Sequence, residues 1–128
     1  MLERFPVYPV LPASDLQRAR AWYEEKLAMR PWKEDPGGLW YACAEGTWLL
    51  VYPTDRAGTA QNTQAHFQVT DIEFVLAELR GAGVKPEEYE SFKDFHQGEG
   101  LYDMDGTKVA FLKDSEGNTI ELAQVPQG

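Results

Sequence analysis

Cysteine is nearly absent: Cys43 is the only one in 128 residues. One thiol rules out an internal disulfide and suits a reducing compartment. In apolar surroundings it reads as a small buried filler. Long hydrophobic runs are missing too, and none approaches the roughly 20 residues that a membrane span needs. The opening Met1-Leu2-Glu3-Arg4-Phe5 lacks the charged region and long apolar stretch of an export signal. A cytoplasmic protein with no membrane partner is expected. Basic charge is scarce, with 12 Lys and Arg against 21 Asp and Glu and a net charge of −9. That disfavours nucleic acid, whose phosphates demand a basic surface. An acidic surface suits a cationic ligand, but it also serves solubility alone. There is no Gly-rich phosphate loop, no HExxH and no pair of cysteines. Ser14 and Ser91 fall at a helix cap and in a loop, without the setting of a nucleophile elbow. Arg18 and Arg20 share a helix with Glu24 and Glu25, which makes a solvated face and not a basic patch.

Aromatic residues, by contrast, are plentiful: four Trp, six Tyr and six Phe. That surplus points to a ligand groove, a subunit interface or both. The chain is also long enough for one unaided core, a single domain over 1–128. Its most informative feature is a near-repeat 56 residues apart, Ser14-Asp15-Leu16-Gln17 and Thr70-Asp71-Ile72-Glu73. Both read as capping boxes, with the Ser or Thr hydroxyl accepting from the backbone N–H three residues on. Each follows a short apolar run, Val7 to Leu11 or Phe67 to Val69. Each precedes apolar residues at helical spacing: Leu16, Ala19, Tyr23 and Leu27, then Ile72, Val75, Leu76 and Leu79.

The first half therefore reads as a strand (7–11), a helix (15–28) and, after a Pro36-Gly37-Gly38 turn, strands over 40–44 and 47–52. Glu45-Gly46 between them suits a two-residue hairpin, which would pair Trp40 with Val51. A polar stretch, 53–63, links the halves. The second half reads as a strand (64–69), a helix (71–80) stopped by Gly81-Ala82-Gly83, and a weak strand near 85–90. A long loop over 91–100 leads to strands over 107–113 and 118–125. The order is βαβββ twice, over 6–53 and 64–125, and the last few residues read as a loose tail.

Three phrases, "VLPASDLQRARAWYEEKLAM", "VTDIEFVLAELRGAGV" and "FLKDSEGNTIELAQ", resemble the vicinal oxygen chelate superfamily, also called the glyoxalase/bleomycin-resistance/dioxygenase superfamily. The resemblance runs from Val7 to Gln124. It implies an α+β fold of two βαβββ modules, whose curled mixed sheets surround a groove, and it implies a homodimer. Fold alone does not fix the reaction. Metal-using members place four ligands on the first and last strands of the modules, and the resemblance carries these onto Tyr8, Val51, Gln64 and Glu121. Val51 cannot coordinate, Tyr8 is an uncommon ligand and Gln64 is a weak one. The set falls short of the donors that Zn²⁺, Fe²⁺ or Ni²⁺ requires.

His66 shares a strand face with Gln64. It reads as a hydrogen-bonded groove histidine, or as part of a displaced metal site with Glu121 and His96. His96 also reads as an ordinary loop residue, and Trp40 as a core or interface filler. Strand parity turns Ala65, Phe67, Ile120 and Leu122 toward a helix and Gln64, His66 and Glu121 toward the groove. The expected groove is half apolar (Val10, Trp40, Leu49, Val51) and half polar (Tyr8, Gln64, His66, Glu121), which fits a small organic ligand.

The resulting expectation is a metal-independent binding protein, without cofactor, of the kind that sequesters an antibiotic or a metabolite. Its ligand-binding set is Tyr8, Trp40, Val51, Gln64, His66 and Glu121, with Glu121 holding a cationic or hydrogen-bond-donating group. Catalytic residues are left unassigned. The alternative is a metal-assisted lyase, isomerase or dioxygenase built on His66 and Glu121, with a metal-free acid–base isomerase on the same pair as a lesser variant.

Overall fold

A computed structural model describes residues 1–126; Gln127 and Gly128, where the expected tail ends, lie outside the described residues. The first half runs β1 (Val10–Ala13), α1 (Leu16–Leu27), β2 (Lys33–Asp35), β3 (Gly38–Ala42) and β4 (Trp48–Pro53). The second runs β5 (Thr63–Gln68), α2 (Ile72–Gly81), β6 (His96–Gly98), β7 (Leu101–Met104), β8 (Thr107–Lys113) and β9 (Thr119–Gln124). The strands form two mixed sheets, ordered β1-β4-β3-β2 and β5-β9-β8-β7-β6. In each, the strand before the helix lies parallel to the last strand of its half, β1 on β4 and β5 on β9. No helix among the described residues is long and apolar enough to cross a membrane.

Each helix lies over its own sheet through an apolar stripe at helical spacing. Ala19 and Tyr23 on α1 are buried, as are Ile72, Leu76 and Leu79 on α2. Tyr23 stacks on Tyr41 of β3, with ring centroids 5.4 Å apart. Leu11, Leu39, Leu49 and Val51 complete this side of the first sheet, all essentially inaccessible. Ile120, Leu122, Leu112 and Ala110 do the same for the second. Burying each of the Leu, Ile and Val side chains contributes about 1.5–3 kcal/mol.

Several sequence expectations require correction. The helix caps are Asp15 and Asp71, whose carboxylates accept from Arg18 N at 3.0 Å and Phe74 N at 3.2 Å. Ser14 and Thr70 are one residue too early for that role. The β3–β4 connection is one residue longer than a two-residue hairpin. Cys43 N donates to Thr47 O, and the turn over Ala44–Gly46 carries two left-handed residues, Glu45 (φ 58°) and Gly46 (φ 75°). Trp40 consequently pairs with Leu50, and Val51 with Leu39. A one-residue slip exchanges the two faces of a strand, so Val51 and Leu49 pack beneath α1 and Leu50 takes the other face. No strand forms at 85–90. The expected long loop instead holds a 3-10 segment, Glu90–Phe95, and β6, and it is followed by β7.

The two halves are joined by the β8–β9 turn. Asn118 Nδ2 donates to Pro12 O at 2.9 Å. Tyr23 Oη donates to Asp114 Oδ2 at 2.7 Å. Glu116 accepts from the backbone N–H groups of Ser14 and Asp15, both at 3.0 Å, and from Arg18 Nε at 2.8 Å. The Arg18 guanidinium, foremost, holds the Glu116 carboxyl down at about 2, with the Asp15 N–H and Ser115 assisting.

Candidate functional site

The helix-free faces of the two sheets carry equivalent rows of different chemistry. Val10 lies opposite Leu50 on the parallel pair β1–β4, and His66 lies opposite Glu121 on β5–β9. The 56-residue repeat maps Val10 onto His66. One half thus presents two aliphatic side chains where the other presents an imidazole and a carboxylate. The first row continues through Trp40 to Lys33, and the second through Phe111.

His66 Nδ1 lies 2.7 Å from Glu121 Oε1. An ionised carboxylate only accepts, so Nδ1–H donates, which in the neutral imidazole leaves the Nε2 lone pair free. About half of the His66 side chain is exposed. Beside it, a cleft of ≈ 440 Å³ opens between edge strand β5, the β3–β4 turn and the segment before β1. Tyr8, Cys43, Trp48, His66 and Gln68 are among its walls. Tyr8 Oη makes a long 3.4 Å hydrogen bond to Gly46 O across the mouth. Burial pushes the Cys43 thiol up, away from thiolate chemistry.

Tryptophans dominate the uncovered face of the first sheet. Trp48 meets Trp32 edge-on at 5.3 Å and Trp40 at 6.5 Å. Trp40 Nε1 donates to Asp35 Oδ1 at 3.2 Å. That bond, together with Gly37 N–H and Lys33, holds the Asp35 carboxyl below its usual range. On the second sheet the corresponding area is covered by the chain's own aromatics. Phe92 stacks on Phe111 at 5.8 Å, and Tyr89 N donates to Tyr102 Oη at 2.8 Å. This lid leaves His66 and Glu121 uncovered at one end of the sheet.

Of the six residues expected to bind ligand, the structure brings Tyr8 and His66 into one cleft and sets Glu121 directly behind His66. Trp40 borders that cleft only through Trp48. Among the described residues, therefore, the cleft beside His66 does not also collect Trp40, Gln64 and Glu121. Val51 is buried against the helix side. Gln64 sits at a β-bulge and spends its amide on the last turn and the start of the last strand, donating to Asn118 Oδ1 at 3.0 Å and accepting from Thr119 N at 3.1 Å. His96 contacts Glu88 at 3.0 Å on a strand three places from β9, too far to join His66 and Glu121.

Among the described residues, no three His, Cys, Asp or Glu side chains converge. The donors carried over from metal-using relatives do not fit a transition metal here: Val51 is in the core, Gln64 is engaged, and the strand neighbours Val10 and Leu50 are hydrocarbons. Sequence reasoning missed Trp48, Leu50, Trp32 and Asp35. The available signal was Glu45-Gly46, which also fits a three-residue loop with glycine in the left-handed position.

The sequence profile of the Glyoxalase/Bleomycin resistance protein/Dioxygenase superfamily matches residues 6–122. No curated protein matches the chain in sequence. Solved structures share the fold. A glyoxalase/bleomycin resistance protein from Catenulispora acidiphila superposes with a TM-score of 0.67 at 22% identity, over 95% of this chain and 99% of that one. TnmS3, an antibiotic-binding protein from Streptomyces sp. CB03234, gives 0.68 at 18%, over 95% and 98%. The fosfomycin resistance protein FosX from Listeria monocytogenes gives 0.66 at 13%, over 95% and 93%. With its profile match spanning nearly the whole length and its paired mixed sheets, the chain belongs to the Glyoxalase/Bleomycin resistance protein/Dioxygenase superfamily.

Proposed function

We propose that this protein binds a small organic molecule without a metal, sequestering an antibiotic or a metabolite. The observation that carries the reading is the unequal pair of rows: Val10 and Leu50 on one sheet, His66 and Glu121 on the other. Two donors do not hold a transition metal firmly, whereas the cleft beside His66, with Val7, Pro9, Trp48 and Phe67 among its walls, sets apolar surface next to one oriented polar pair and suits an organic ligand. The imidazole, fixed by Glu121, offers Nε2 to a ligand O–H or N–H, and Tyr8 offers its hydroxyl. Trp48 supplies a flat wall to the same cleft, with Trp40 behind it. Uncovered Phe5, Val7 and Phe74 support a homodimer, and the single thiol supports a cytoplasmic setting.

Elemental analysis of protein purified without chelator or nickel resin tests the metal question. Less than stoichiometric metal is expected; one transition ion per chain, lost in Glu121→Ala, would end this reading. A thermal-shift and tryptophan-quenching screen of antibiotics and metabolites tests binding. Hits are expected to weaken roughly tenfold in His66→Ala, as when one good hydrogen bond is lost.

The His66–Glu121 contact also favours a second reading. A carboxylate-oriented imidazole with a free Nε2 is a general base in form. Turnover of a bound hit, abolished in both His66→Ala and Glu121→Ala, would promote the acid–base enzyme over the binding protein.

A further inference from the structure

We propose that Trp32, Trp40 and Trp48, with Asp35, form a seat for an organic cation, a quaternary or tertiary ammonium group, which the Lys33 ammonium fills as a tethered stand-in. The inference rests on the binding reading above, but not on the His66–Glu121 pair. Lys33 Nζ stands 5.8 Å from the Trp32 ring centroid and 5.3 Å from that of Trp40. Both distances lie within reach of the negative face of an indole. Trp48 meets the other two rings edge-on, at interplanar angles of 72° and 80°. The cation is thus faced by two indoles, Trp32 and Trp40, while Trp48 stands steeply inclined to both and braces them from the side. Asp35 closes one side, its Oδ2 lying 3.3 Å from Lys33 Nζ. Its Oδ1 is fixed by Trp40 Nε1 at 3.2 Å and by Gly37 N at 2.8 Å. The carboxylate is thus positioned before any ligand arrives.

The seat is costly to maintain for structure alone. Trp32 is 67% exposed and adjoins Trp48, which adjoins Trp40, so the indoles form a contiguous patch, and contiguous apolar patches mark interaction sites. Lysine is also a poor match for the cage it occupies. A primary ammonium is compact and strongly hydrated, and here its side chain is about half exposed. An N-methylated cation sheds water more readily and fills an aromatic cage better. The net charge of −9 raises the local concentration of such cations. Tethering gives Lys33 a high effective concentration, so it acts as a built-in competitor.

Choline and its neutral isostere 3,3-dimethylbutan-1-ol test the seat, with titrations followed through the tryptophan indole N–H resonances. Choline is expected to shift the Trp32, Trp40 and Trp48 signals saturably and to bind at least about threefold tighter than the isostere, the ratio that a partly exposed cation–π contact supplies. Lys33→Ala, at an exposed position, should tighten choline binding about threefold by removing the competitor. Trp32→Ala, also at an exposed position, should abolish the shifts of the remaining signals while leaving the fold intact by circular dichroism. Glu121→Gln should leave choline binding unchanged. Equal binding of choline and isostere, no gain in Lys33→Ala, or no binding at all would overturn the cage. Choline binding lost in Glu121→Gln and kept in Trp32→Ala would also overturn it, while the small-molecule reading stood with the cation at Glu121.

Discussion

Asn118, on the last turn of the chain, donates through Nδ2 to the carbonyl of Pro12 on the first strand, 106 residues earlier, at 2.9 Å. The same amide donates to Asp114 Oδ2 at 2.8 Å, and its Oδ1 accepts from Gln64 at 3.0 Å. Asn118 is 1% exposed, so removing its side chain takes three bonds from the joint at once, although Asp114 Oδ2 keeps its bond from Tyr23 Oη. Asn118→Ala is expected to cost about 2–4 kcal/mol, from several buried bonds lost at once. Chemical denaturation should show that loss. A change below about 0.5 kcal/mol, the level of an ordinary surface substitution, would mean that the joint between the halves lies elsewhere.

Glu116 makes that joint sensitive to acid. Its carboxyl is held at about 2 in the folded protein, chiefly by Arg18, and titrates near 4.3 in an unfolded chain. A depressed folded value stabilises above the unfolded value, and the contribution disappears as pH falls through the folded one. Glu116 should therefore add about 2–3 kcal/mol at neutral pH, lost between roughly pH 4.5 and 2. Glu116→Gln should unfold more easily at pH 7 and show a flatter stability profile across that window. If wild type and variant differed by the same amount at pH 7 and pH 2.5, the ion pair would not be the cause.

The elements were legible in the sequence because their signals are local. The stripes of Ala19 and Tyr23 and of Ile72, Leu76 and Leu79 repeat at helical spacing, and Ile120 and Leu122 alternate around Glu121. The site was legible where parity held without interruption. His66 and Glu121 do meet, because β5 and β9 stay in register past Ala65. Parity failed at its irregularities. The bulge at Gln64 sends that amide to Asn118, and one extra loop residue at Ala44–Gly46 exchanges Val51 for Leu50. The aromatic lid was hidden for another reason. Tyr89 and Phe92 reach Tyr102 and Phe111 through a 3-10 segment that has no sequence period of its own.

Gly38 tests how closely the first sheet is packed. Its φ is +131°, and an added Cβ would lie 2.2 Å from Val51 O and 2.9 Å from Tyr52 Cα. Both obstacles are backbone of the neighbouring strand, so no side chain can swing away. Gly38→Ala is expected to cost at least ~2 kcal/mol, from combined overpacking and backbone strain. It should also disturb the tryptophan face, because Gly38 opens the strand that carries Trp40. Near-ultraviolet circular dichroism would report that change; an unaltered tryptophan signal with wild-type stability would refute the packing argument.

Tyr23 and Tyr41 stack on each other under α1, yet their hydroxyls have opposite fates. Tyr23 Oη donates to Asp114 Oδ2 at 2.7 Å. Tyr41 Oη is buried without a hydrogen-bond partner among the described residues, and burial pushes its phenol up to about 12. Removing a bonded hydroxyl leaves a buried acceptor short of a donor, whereas removing an unbonded one relieves a desolvation cost. Tyr23→Phe should therefore lose about 1–2 kcal/mol, and Tyr41→Phe should be neutral or stabilising by up to ~1 kcal/mol. Both substitutions keep the ring and so the stack. Thermal unfolding of the two variants side by side decides the matter: if Tyr41→Phe is destabilised as much as Tyr23→Phe, the Tyr41 hydroxyl has a bonding partner in solution, such as a bridging water, and the asymmetry argued here is wrong.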